Sequence, residues 1–360
     1  MRLRYVVGCM SGTSMDAIDA ALIAIEGRGL AMRVNVLHGA SVSLRALRPL
    51  IAPLAAGKSG DAVAFTALAL KLGQSHIAAI QLAIGRRKVD LIAVHGQTLY
   101  HAPPLSWQIL NPHPIAQAFG VPVVFDLRGA DLAAGGQGAP ITPLADWVLL
   151  RHPSERRIVV NLGGFANYTD LPPGGRADID HIRGGDLCVC NQLLDTIAAR
   201  YLRKPFDRNG EAASKGRIIP VLYRRLCQQL QTQAAAGRSL GTGDEIVHCL
   251  PRPFAVSKGP DVAATACAAI GHTLSGALQA ADRVILAGGG AFNRTLVAEI
   301  SRHFPGSVNG ADDLGVPIQY REAIEMAVLG ALCADRVPIT LRQVTHRNRG
   351  KLISGCWVHP

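Results

Sequence analysis

Residues 6–19 of this 360-residue chain read Val6-Val7-Gly8-Cys9-Met10-Ser11-Gly12-Thr13-Ser14-Met15-Asp16-Ala17-Ile18-Asp19, and this stretch decides the fold. An apolar run gives way to glycine and hydroxyl residues and then to two aspartates. A strand that ends in such a turn exposes several backbone N–H groups at one point, which suits a phosphate oxyanion. Asp16 and Asp19 would repel an anion, and they are suited instead to a divalent cation that accompanies phosphate. Taken alone, the stretch fits a nucleotide–metal loop and an ordinary tight turn equally well.

Two further apolar runs end in glycine-rich polar turns. One covers residues 157–167 and the other covers residues 283–293. A single turn of this kind is weak evidence, but three that each follow an apolar run favour repeated phosphate loops. None has the G-x-x-x-x-G-K-[ST] pattern of a P-loop or the G-x-G-x-x-G pattern of a dinucleotide-binding fold. We therefore predict two related halves with a cleft between them.

Apolar runs alternate with helical patterns along the chain. Residues 89–96 and 122–126 have the pattern of buried strands, and residues 61–84 have helical spacing. Such alternation predicts an α/β fold with a largely parallel sheet covered by helices. The chain length is typical of two domains. The predicted boundaries are 1–150 for the first domain, 151–335 for the second, and 336–360 for a tail that packs on the first.

Composition excludes several classes of protein. The chain has 49% apolar residues but no window of about 18 uninterrupted ones, which argues against disorder and against a membrane span. Its eight scattered cysteines fit reduced thiols, and Cys188 and Cys190 have no second pair to complete a zinc site. The net charge of +11 comes without interleaved aromatic residues, so nucleic-acid binding has little support. Arginines spread over the surface account for this charge, and it is also compatible with small anionic ligands. We expect a cytoplasmic protein.

Asp186 is the first candidate for a catalytic base. It follows Arg183-Gly184-Gly185 and precedes a helical pattern, so its carboxylate can reach a ligand that packs against the backbone. A base at this position could deprotonate a hydroxyl or a water, a role that contributes about 10²–10⁴-fold. The structural alternative is that Asp186 caps the helix that begins near Cys190.

A second candidate is the loop of residues 126–140. Arg128, Asp131 and Gln137 alternate there with glycines, and no apolar periodicity assigns the loop to a core. Such a loop suits a sugar or carboxylate ligand, and it also fits a solvated loop with an internal Arg–Asp pair.

Polar groups stand at two more element ends. His95-Gly96-Gln97-Thr98 ends a buried strand, with the aromatic face of Trp107 a short way on, which suits a sugar ring or a core tryptophan. Glu322 begins an apolar helix, where either a ligand or the helix dipole accounts for an acid.

Together these motifs resemble those of the anhydro-N-acetylmuramic acid kinases, a family of the actin/hexokinase/Hsp70-type ATPase fold. The resemblance runs from about residue 5 to residue 332. Its most specific part is a ten-residue glycine-rich signature, D-V-A-A-G-G-Q-G-A-P in the family, because no packing requirement would produce it. The matching segments are Ser11–Asp19 for S-G-T-S-x-D-G-x-D, His95–Thr98 for H-G-Q-T, Asp131–Pro140 for the signature, Asn161–Asn167 for N-I-G-G-I-A-N, Phe206–Gly216 for Y-D-x-x-G-x-x-A-x-x-G, and Ala287–Asn293 for C-G-G-G-A-x-N.

The resemblance implies two related domains of ribonuclease H-like type with a cleft between them. It also implies ATP and Mg²⁺ as cofactors, with Asp16 as a candidate for the metal. The residues implied on the ATP side are Gly12, Thr13, Ser14, Met15, Asp16, Ala17, Ile18, Asp19, Asn161, Gly163, Gly164, Asn167, Gly288, Gly289, Gly290 and Asn293. Those implied on the sugar side are His95, Gln97, Arg128, Asp131, Gln137 and Glu322.

The implied reaction is the ATP-dependent hydrolytic opening and 6-phosphorylation of 1,6-anhydro-N-acetylmuramic acid, a step of murein recycling. Asp186 would be the catalytic residue that activates the water. The family's segment commonly reads F-D-T-G-P-G-N, whereas this chain has Asp186-Leu187-Cys188-Val189-Cys190-Asn191. The acid and the asparagine keep their spacing, but the Gly-Pro-Gly turn between them is replaced.

Three alternatives stay open on the sequence. The first is another sugar kinase of the same fold, in which Asp186 deprotonates a free hydroxyl. The second is a non-catalytic ATP-binding switch. The third is a redox role for Cys188 and Cys190, which requires exposed and acidic thiols. The expected partners are a small anhydro amino sugar and ATP, without nucleic acid or membrane, and the resemblance is also compatible with a homodimer.

Overall fold

The computed structural model describes residues 3–12, 15–237, 240, 243–250, 258–348, 350 and 352–360. The chain divides into two compact units. The first consists of Met1–Leu150, Ile179–His181 and Gly315–Pro360, and the second consists of Arg151–Asp178 and Ile182–Leu314.

Strands and helices alternate along the described residues. The strands are β1 (Arg4–Ser11), β2 (Ala17–Glu26), β3 (Arg33–Ser43), β4 (Leu91–His95), β5 (Gln97–Ala102), β6 (Leu105–Ile109), β7 (Val123–Phe125), β8 (Arg157–Leu162), β9 (Phe165–Leu171), β10 (Arg183–Val189), β11 (Arg283–Ala287), β12 (Ser307–Gly310) and β13 (Cys356–Val358). The α-helices are α1 (Arg48–Ala55), α2 (Ala62–Ile84), α3 (His113–Phe119), α4 (Gly129–Ala133), α5 (Pro143–Leu150), α6 (Asn191–Ile197), α7 (Pro220–Ala235), α8 (Gly259–Ala277), α9 (Arg294–His303), α10 (Arg321–Ala334) and α11 (Arg342–Thr345).

A six-stranded sheet forms the centre of the first unit, in the order β13-β7-β4-β1-β2-β3. β1, β2 and β3 are antiparallel neighbours, whereas β4 runs parallel to both β1 and β7. Leu68 and Leu72 of α2 share one core with Val7 and Cys9 of β1. Gly8 points to the other face because side chains alternate along a strand, and it lies against α10. Helices α2 and α10 therefore cover opposite faces of this sheet.

Among the described residues, α2 is the helix that is long and apolar enough to cross a membrane by length and composition. In the structure it packs one side against the sheet of the first unit. Asp61 caps its amino end by accepting a hydrogen bond from the backbone N–H of Ala64 at 2.7 Å. The buried side includes Leu68, Leu72, Ala79 and Ile80.

The domain boundary predicted at residue 335 differs from the division that the structure shows. Residues 315–335 belong to the first unit, and their helix α10 packs directly on β1. The two backbones approach so closely because Gly8 has no side chain. The segment after residue 335 also belongs to the first unit, where β13 pairs with β7 in an antiparallel register.

The second unit repeats the strand arrangement of the first. Its sheet has the order β10-β9-β8-β11-β12, with β8, β9 and β10 antiparallel and with β11 parallel to both β8 and β12. In each unit, three consecutive strands form a meander and the next strand pairs in parallel with the first. This is the ribonuclease H-like arrangement, so the predicted fold type is confirmed for each unit.

The prediction of largely parallel sheets is wrong, since among the described residues three of the five strand pairings in the first sheet and two of the four in the second are antiparallel. The glycine-rich turns after β1 and β8 are hairpin turns that lead straight into the antiparallel strands β2 and β9. A short turn can join only antiparallel strands, since a parallel pair needs a crossover of a dozen or more residues. The apolar runs alone did not distinguish these two pairings.

The contact between Gly8 and α10 predicts a large loss of stability on adding one methyl group. A Cβ atom at Gly8 would lie 1.9 Å from the Ala323 carbonyl oxygen and 2.3 Å from the Ala327 nitrogen. We expect Gly8→Ala to lower the free energy of unfolding by about 3 kcal/mol, because the helix must leave the sheet. Urea unfolding measures the change.

Gly276→Ala is the matched control for Gly8→Ala. Gly276 lies inside α8 with open space around its Cβ position, so alanine there should raise the free energy of unfolding by about 0.5–1 kcal/mol. Equal midpoints for Gly8→Ala and the wild type would contradict the close packing of α10 on β1.

Candidate active site

Two glycine-rich loops of the second unit lie side by side at the carboxyl ends of β8 and β11. The parallel register of these strands places Asn161 opposite Ala287, the residue before Gly288. Gly288 has a φ of +77°, and a Cβ atom there would lie 2.5 Å from Asn161 Oδ1. A Cβ atom at Gly290 would lie 2.7 Å from the Leu162 side chain. The predicted phosphate loops 161–167 and 288–293 are therefore neighbours, and glycine allows their backbones to approach.

Asp186 lies in one row with two asparagines of the neighbouring strands. Asn161 of β8 pairs with Asn167 of β9, and Asn167 pairs with Asp186 of β10. Residues that pair directly across a sheet project to the same face, so three polar side chains share this face next to the glycine loops. A register shift at Leu187 follows Asp186 in β10. The structure thus brings the predicted base and the predicted phosphate loops together.

Asp186 does not cap helix α6. The residue before this helix is Cys190, which makes no side-chain cap, and the N–H groups of Asn191 and Gln192 donate to the carbonyls of Gly163 and Gly164. Asp186 Oδ2 instead accepts a hydrogen bond from the Leu240 N–H at 2.8 Å. Burial raises the pKa of Asp186, and the Leu240 hydrogen bond partly opposes that increase. A raised pKa brings a carboxylate closer to the strength of a useful base.

Two of the matching motifs have a structural role: Asn293 caps a helix, and the segment 206–216 forms a turn that packs against Asn293. Asn293 caps α9 by accepting the Leu296 N–H at 3.1 Å. Asp207 accepts the backbone N–H groups of Ala212 and Ala213, each at 2.9 Å. This turn presses Gly210 against Asn293, where a Cβ atom would lie 2.2 Å from Asn293 Oδ1.

The first hairpin turn of the first unit corresponds in position to the turn after β8. The Met15 N–H donates to the Gly12 carbonyl at 3.1 Å, and Met15 has a φ of +55°. Gly12, Gly163 and Gly164 lie in these two hairpin turns, whereas Gly289 begins the 3₁₀ helix that follows β11. Ile18, which we placed on the ATP side, is instead a fully buried core residue of β2. Thr13 and Ser14 lie outside the described residues.

Acidic side chains gather beside this first turn. The Ser41 hydroxyl donates to Asp19 Oδ1, and Asp16 Oδ1 accepts the Ala17 N–H at 3.0 Å. Burial raises the pKa of Asp19, the Ser41 hydrogen bond lowers it, and the negative charge of Asp16 raises it again. Within the described residues, no group of three or more His, Cys, Asp or Glu side chains could hold a metal by itself. A divalent cation at Asp16 and Asp19 would therefore need oxygens from a ligand.

Arg128 joins two of the predicted sugar-side motifs. Its Nε donates to His95 Nε2 at 3.0 Å, and its Nη1 donates to the Gly138 carbonyl at 2.6 Å. Burial and then the charge of Arg128 lower the pKa of His95 to about 3, so the imidazole is neutral and accepts at Nε2. Burial lowers the pKa of Arg128 to about 10, which leaves it cationic at pH 7. The result is a half-buried positive charge whose orientation is fixed at two points.

Asp131 has a different place from the one predicted. Its carboxylate is fully buried, with Oδ2 accepting the Gly138 N–H at 2.8 Å and Oδ1 accepting the Thr345 hydroxyl at 2.7 Å. Direct contact with a sugar is excluded by this burial, so Asp131 shapes the glycine-rich loop. Gln137 on the same loop is exposed, and its N–H donates to the Thr345 carbonyl at 2.8 Å. Thr345 carries no sequence signal for this role, because it lies more than 200 residues away in the chain.

The last two predicted sugar-side residues have different neighbours. Gln97 lies near the first hairpin turn, and Glu322 lies near Arg128. The buried Gln97 amide donates to the Gly12 carbonyl at 3.3 Å, which connects the His95–Thr98 motif to the phosphate loop. Glu322 lies in the first turn of α10 and reaches solvent. Desolvation by the surrounding protein raises the pKa of Glu322, and the negative charge of Asp19 adds to that increase. The positive charges of Arg321 and Arg128 oppose it.

Comparisons with known proteins decide the family. The family model described as anhydro-N-acetylmuramic acid kinase matches residues 4–357. The chain is 33% identical to the anhydro-N-acetylmuramic acid kinase of Salinibacter ruber, over 95% of this chain and 93% of that one. It is 32% identical to the enzyme of that name from Gloeothece citriformis, over 97% of each chain. The chain belongs to the anhydro-N-acetylmuramic acid kinase family.

Solved structures similar to this member of the family include component A of the (R)-2-hydroxyglutaryl-CoA dehydratase from Acidaminococcus fermentans. The sequence identity is 12%, the match covers 91% of this chain and 98% of that chain, and the TM-score is 0.47. The family assignment rests on the sequence comparisons alone.

In this member of the anhydro-N-acetylmuramic acid kinase family, Cys188 and Cys190 stand after Asp186 where the family segment has two glycines. Cys188 and Cys190 are both buried, and burial raises the pKa of each, that of Cys188 to about 12. A redox role requires exposed and acidic thiols, so the structure contradicts that alternative. The two residues belong to the core of the second unit.

Thiol labelling under native conditions should therefore find one reactive cysteine. Cys356 is exposed, and the other seven cysteines of the chain are buried. We expect about one equivalent of thiol to react with an aromatic disulfide reagent, and all eight after unfolding. Cys356→Ser should remove the fast reaction. Fast labelling that persists in Cys356→Ser and disappears in Cys188→Ser would contradict this prediction.

Proposed function

We propose that this chain is an ATP-dependent kinase that opens 1,6-anhydro-N-acetylmuramic acid by hydrolysis and phosphorylates its O6. The observation that carries the proposal is the row of Asp186, Asn167 and Asn161 beside the loop that begins at Gly288. A base and a phosphate loop on one sheet face are what a combined hydrolysis and phosphoryl transfer needs. The family assignment supplies the substrate.

The reaction balances with one water and one ATP. Asp186 accepts a proton from water, and the water oxygen bonds to the anomeric carbon C1. The C1–O6 bond breaks, and O6 bonds to the γ-phosphorus as the bond to the β–γ bridging oxygen breaks. The products are N-acetylmuramic acid 6-phosphate and ADP. We assign this activity to murein recycling in the cytoplasm.

The phosphates of ATP suit a glycine-rich turn, because glycine leaves the backbone N–H groups uncovered by side chains. Phosphoryl transfer is achieved mostly by positioning and charge neutralisation, which backbone N–H groups and a metal ion supply. Asp16 and Asp19 would hold Mg²⁺ together with phosphate oxygens, in keeping with the preference of Mg²⁺ for few carboxylates and for substrate oxygens. When bound, Mg²⁺ neutralises charge on the transferred phosphoryl group.

Arg128 is suited to the lactyl carboxylate that distinguishes muramic acid from other amino sugars. His95 and the Gly138 carbonyl already fix its Nε and Nη1, so the guanidinium plane is held before any ligand arrives. A planar, oriented guanidinium binds a carboxylate more strongly than a mobile ammonium would. Glu322 and Gln137 are solvent-accessible and could accept or donate to sugar hydroxyls.

The test is ADP release with ATP, Mg²⁺ and 1,6-anhydro-N-acetylmuramic acid. The proposal requires turnover that depends on this sugar and a product with phosphate at O6, seen by ³¹P NMR. Turnover with N-acetylmuramic acid but not with the anhydro sugar would indicate another sugar kinase. Nucleotide binding with slow hydrolysis that no sugar accelerates would indicate a nucleotide-dependent switch.

A further inference from the structure

Three charged side chains of the first unit form a buried cluster that the reaction above does not use. Arg321 Nη2 lies 2.5 Å from Asp146 Oδ1 and 2.7 Å from Glu325 Oε1. All three side chains are buried. Burying charges is costly unless they are paired, so one guanidinium placed between two carboxyl groups calls for an explanation. We name this group the Arg321 cluster.

The Arg321 cluster connects the two elements that carry the proposed sugar residues. Asp146 lies on α5, which begins at Pro143, shortly after the loop that Arg128 holds through Gly138. Arg321 and Glu325 lie one turn apart on α10, and Glu322 stands beside Arg321 in the first turn of that helix. The cluster therefore joins the start of the Glu322 helix to the helix that follows the Arg128 loop.

The chemistry of the cluster favours a fixed and directional contact. Burial raises the pKa of Glu325 well above its usual range, Arg321 opposes that increase and Asp146 adds to it. Arg321 Nη2 faces a carboxyl oxygen of each acid, and α10 holds Arg321 and Glu325 one turn apart. Such a network fixes the rotamers of all three side chains, because every member depends on the others.

We propose that Asp146, Arg321 and Glu325 are positioning residues that set the distance between Glu322 and Arg128, and so set the affinity for the sugar. This inference rests on the proposed function. A misplacement of about 1 Å in a positioned group can lower a rate about 100-fold, so a loose first turn of α10 would weaken sugar binding. ATP binding should not respond, because none of the three residues lies in a glycine-rich turn.

Two variants separate this role from a merely structural one. Arg321→Lys keeps the charge, but the lysine ammonium lies one bond closer to the backbone than Nη2, so it cannot meet both carboxyl oxygens where Nη2 does. We expect its KM for the anhydro sugar to rise at least 10-fold, with the KM for ATP within about twofold of wild type. Glu325→Ala removes one of the two carboxyl groups that contact Arg321, so its KM for the sugar should also rise at least 10-fold, with the KM for ATP within about twofold of wild type.

Arg86→Lys, at an exposed position of the same unit, is the matched control. Equal rises in both KM values for Arg321→Lys, or wild-type values for both, would overturn the inference. A sugar KM within threefold of wild type for Glu325→Ala would overturn the part assigned to Glu325. No sugar-dependent ADP release from the wild type would instead overturn the proposed function. The same assay therefore separates the two failures.

Discussion

Asp186→Asn is expected to lower kcat for sugar-dependent ADP release by about 10²–10⁴-fold, the contribution of a positioned general base. Asparagine has nearly the same shape and can still meet the Leu240 N–H through its carbonyl oxygen, so the geometry of the row should survive. The proton acceptor alone is lost. The KM for ATP should change little, because the glycine loops do not depend on the charge of this carboxylate.

The pKa of Asp186 predicts how kcat/KM should change with pH. Burial raises the pKa of Asp186, and a base must be ionised to act, so wild-type kcat/KM should fall as the pH decreases through that raised value. The residual activity of Asp186→Asn should lack this limb. A pH–rate profile of the two proteins provides the measurement.

The free energy of unfolding of Asp186→Asn should exclude unfolding as the cause of its lower kcat. An aspartate whose pKa is raised on folding lowers the free energy of unfolding at pH values above its folded-state pKa. This destabilisation disappears below the pKa that the same side chain has in the unfolded chain, which is about 3.9. Asp186→Asn should therefore be as stable as the wild type or more stable at neutral pH, with the difference shrinking in acid. Asp178→Asn, in the short 3₁₀ helix that precedes β10, is the matched control and should keep wild-type kcat. Activity of Asp186→Asn within threefold of wild type would contradict the role of base.

Arg128→Lys is expected to lower kcat/KM for the anhydro sugar by about 10- to 100-fold, because a hydrogen bond to a charged group contributes about 1.5–3 kcal/mol. Lysine keeps the positive charge, but a single ammonium has no fork to hold His95 and the Gly138 carbonyl while it also presents donors to a carboxylate. The effect should fall on the sugar KM and kcat/KM, with the KM for ATP near that of the wild type. Initial rates at varied sugar and at varied ATP separate the two constants.

A sugar analogue strengthens the test of Arg128. For 1,6-anhydro-N-acetylglucosamine, which lacks the lactyl carboxylate, Arg128→Lys and the wild type should have similar and low kcat/KM. Arg86→Lys, at an exposed arginine of the same unit, should resemble the wild type with both sugars. An equal loss with both sugars would mean that Arg128 only supports the loop and does not recognise the carboxylate.

The sequence by itself determined the positions of the glycine-rich turns and the order of the strands that precede them. An apolar run followed by glycine predicts a strand and a turn from local chemistry alone, which is why the glycines at 12, 163, 164 and 288 were correctly placed after strands. Asp186 was proposed as the base from its neighbours, because a carboxylate beside glycines can reach a ligand that packs close to the backbone. The long glycine-rich signature of residues 131–140 identified the family, because no packing requirement would produce it.

Only the tertiary structure decided what these residues meet. Ile18 and Asp131 stand in motifs that predict ligand contact, yet strand pairing buries Ile18 in the core, and Thr345 and Gly138 take up the Asp131 carboxylate. The row of Asp186 with Asn167 and Asn161 depends on strand register, which is set by pairing across 6 residues between β8 and β9 and across 19 residues between β9 and β10. The return of α10 to the first unit depends on Gly8, more than 300 residues away in the chain. Local patterns carry no record of such partners, because burial and hydrogen bonding are decided by segments that meet only when the chain folds.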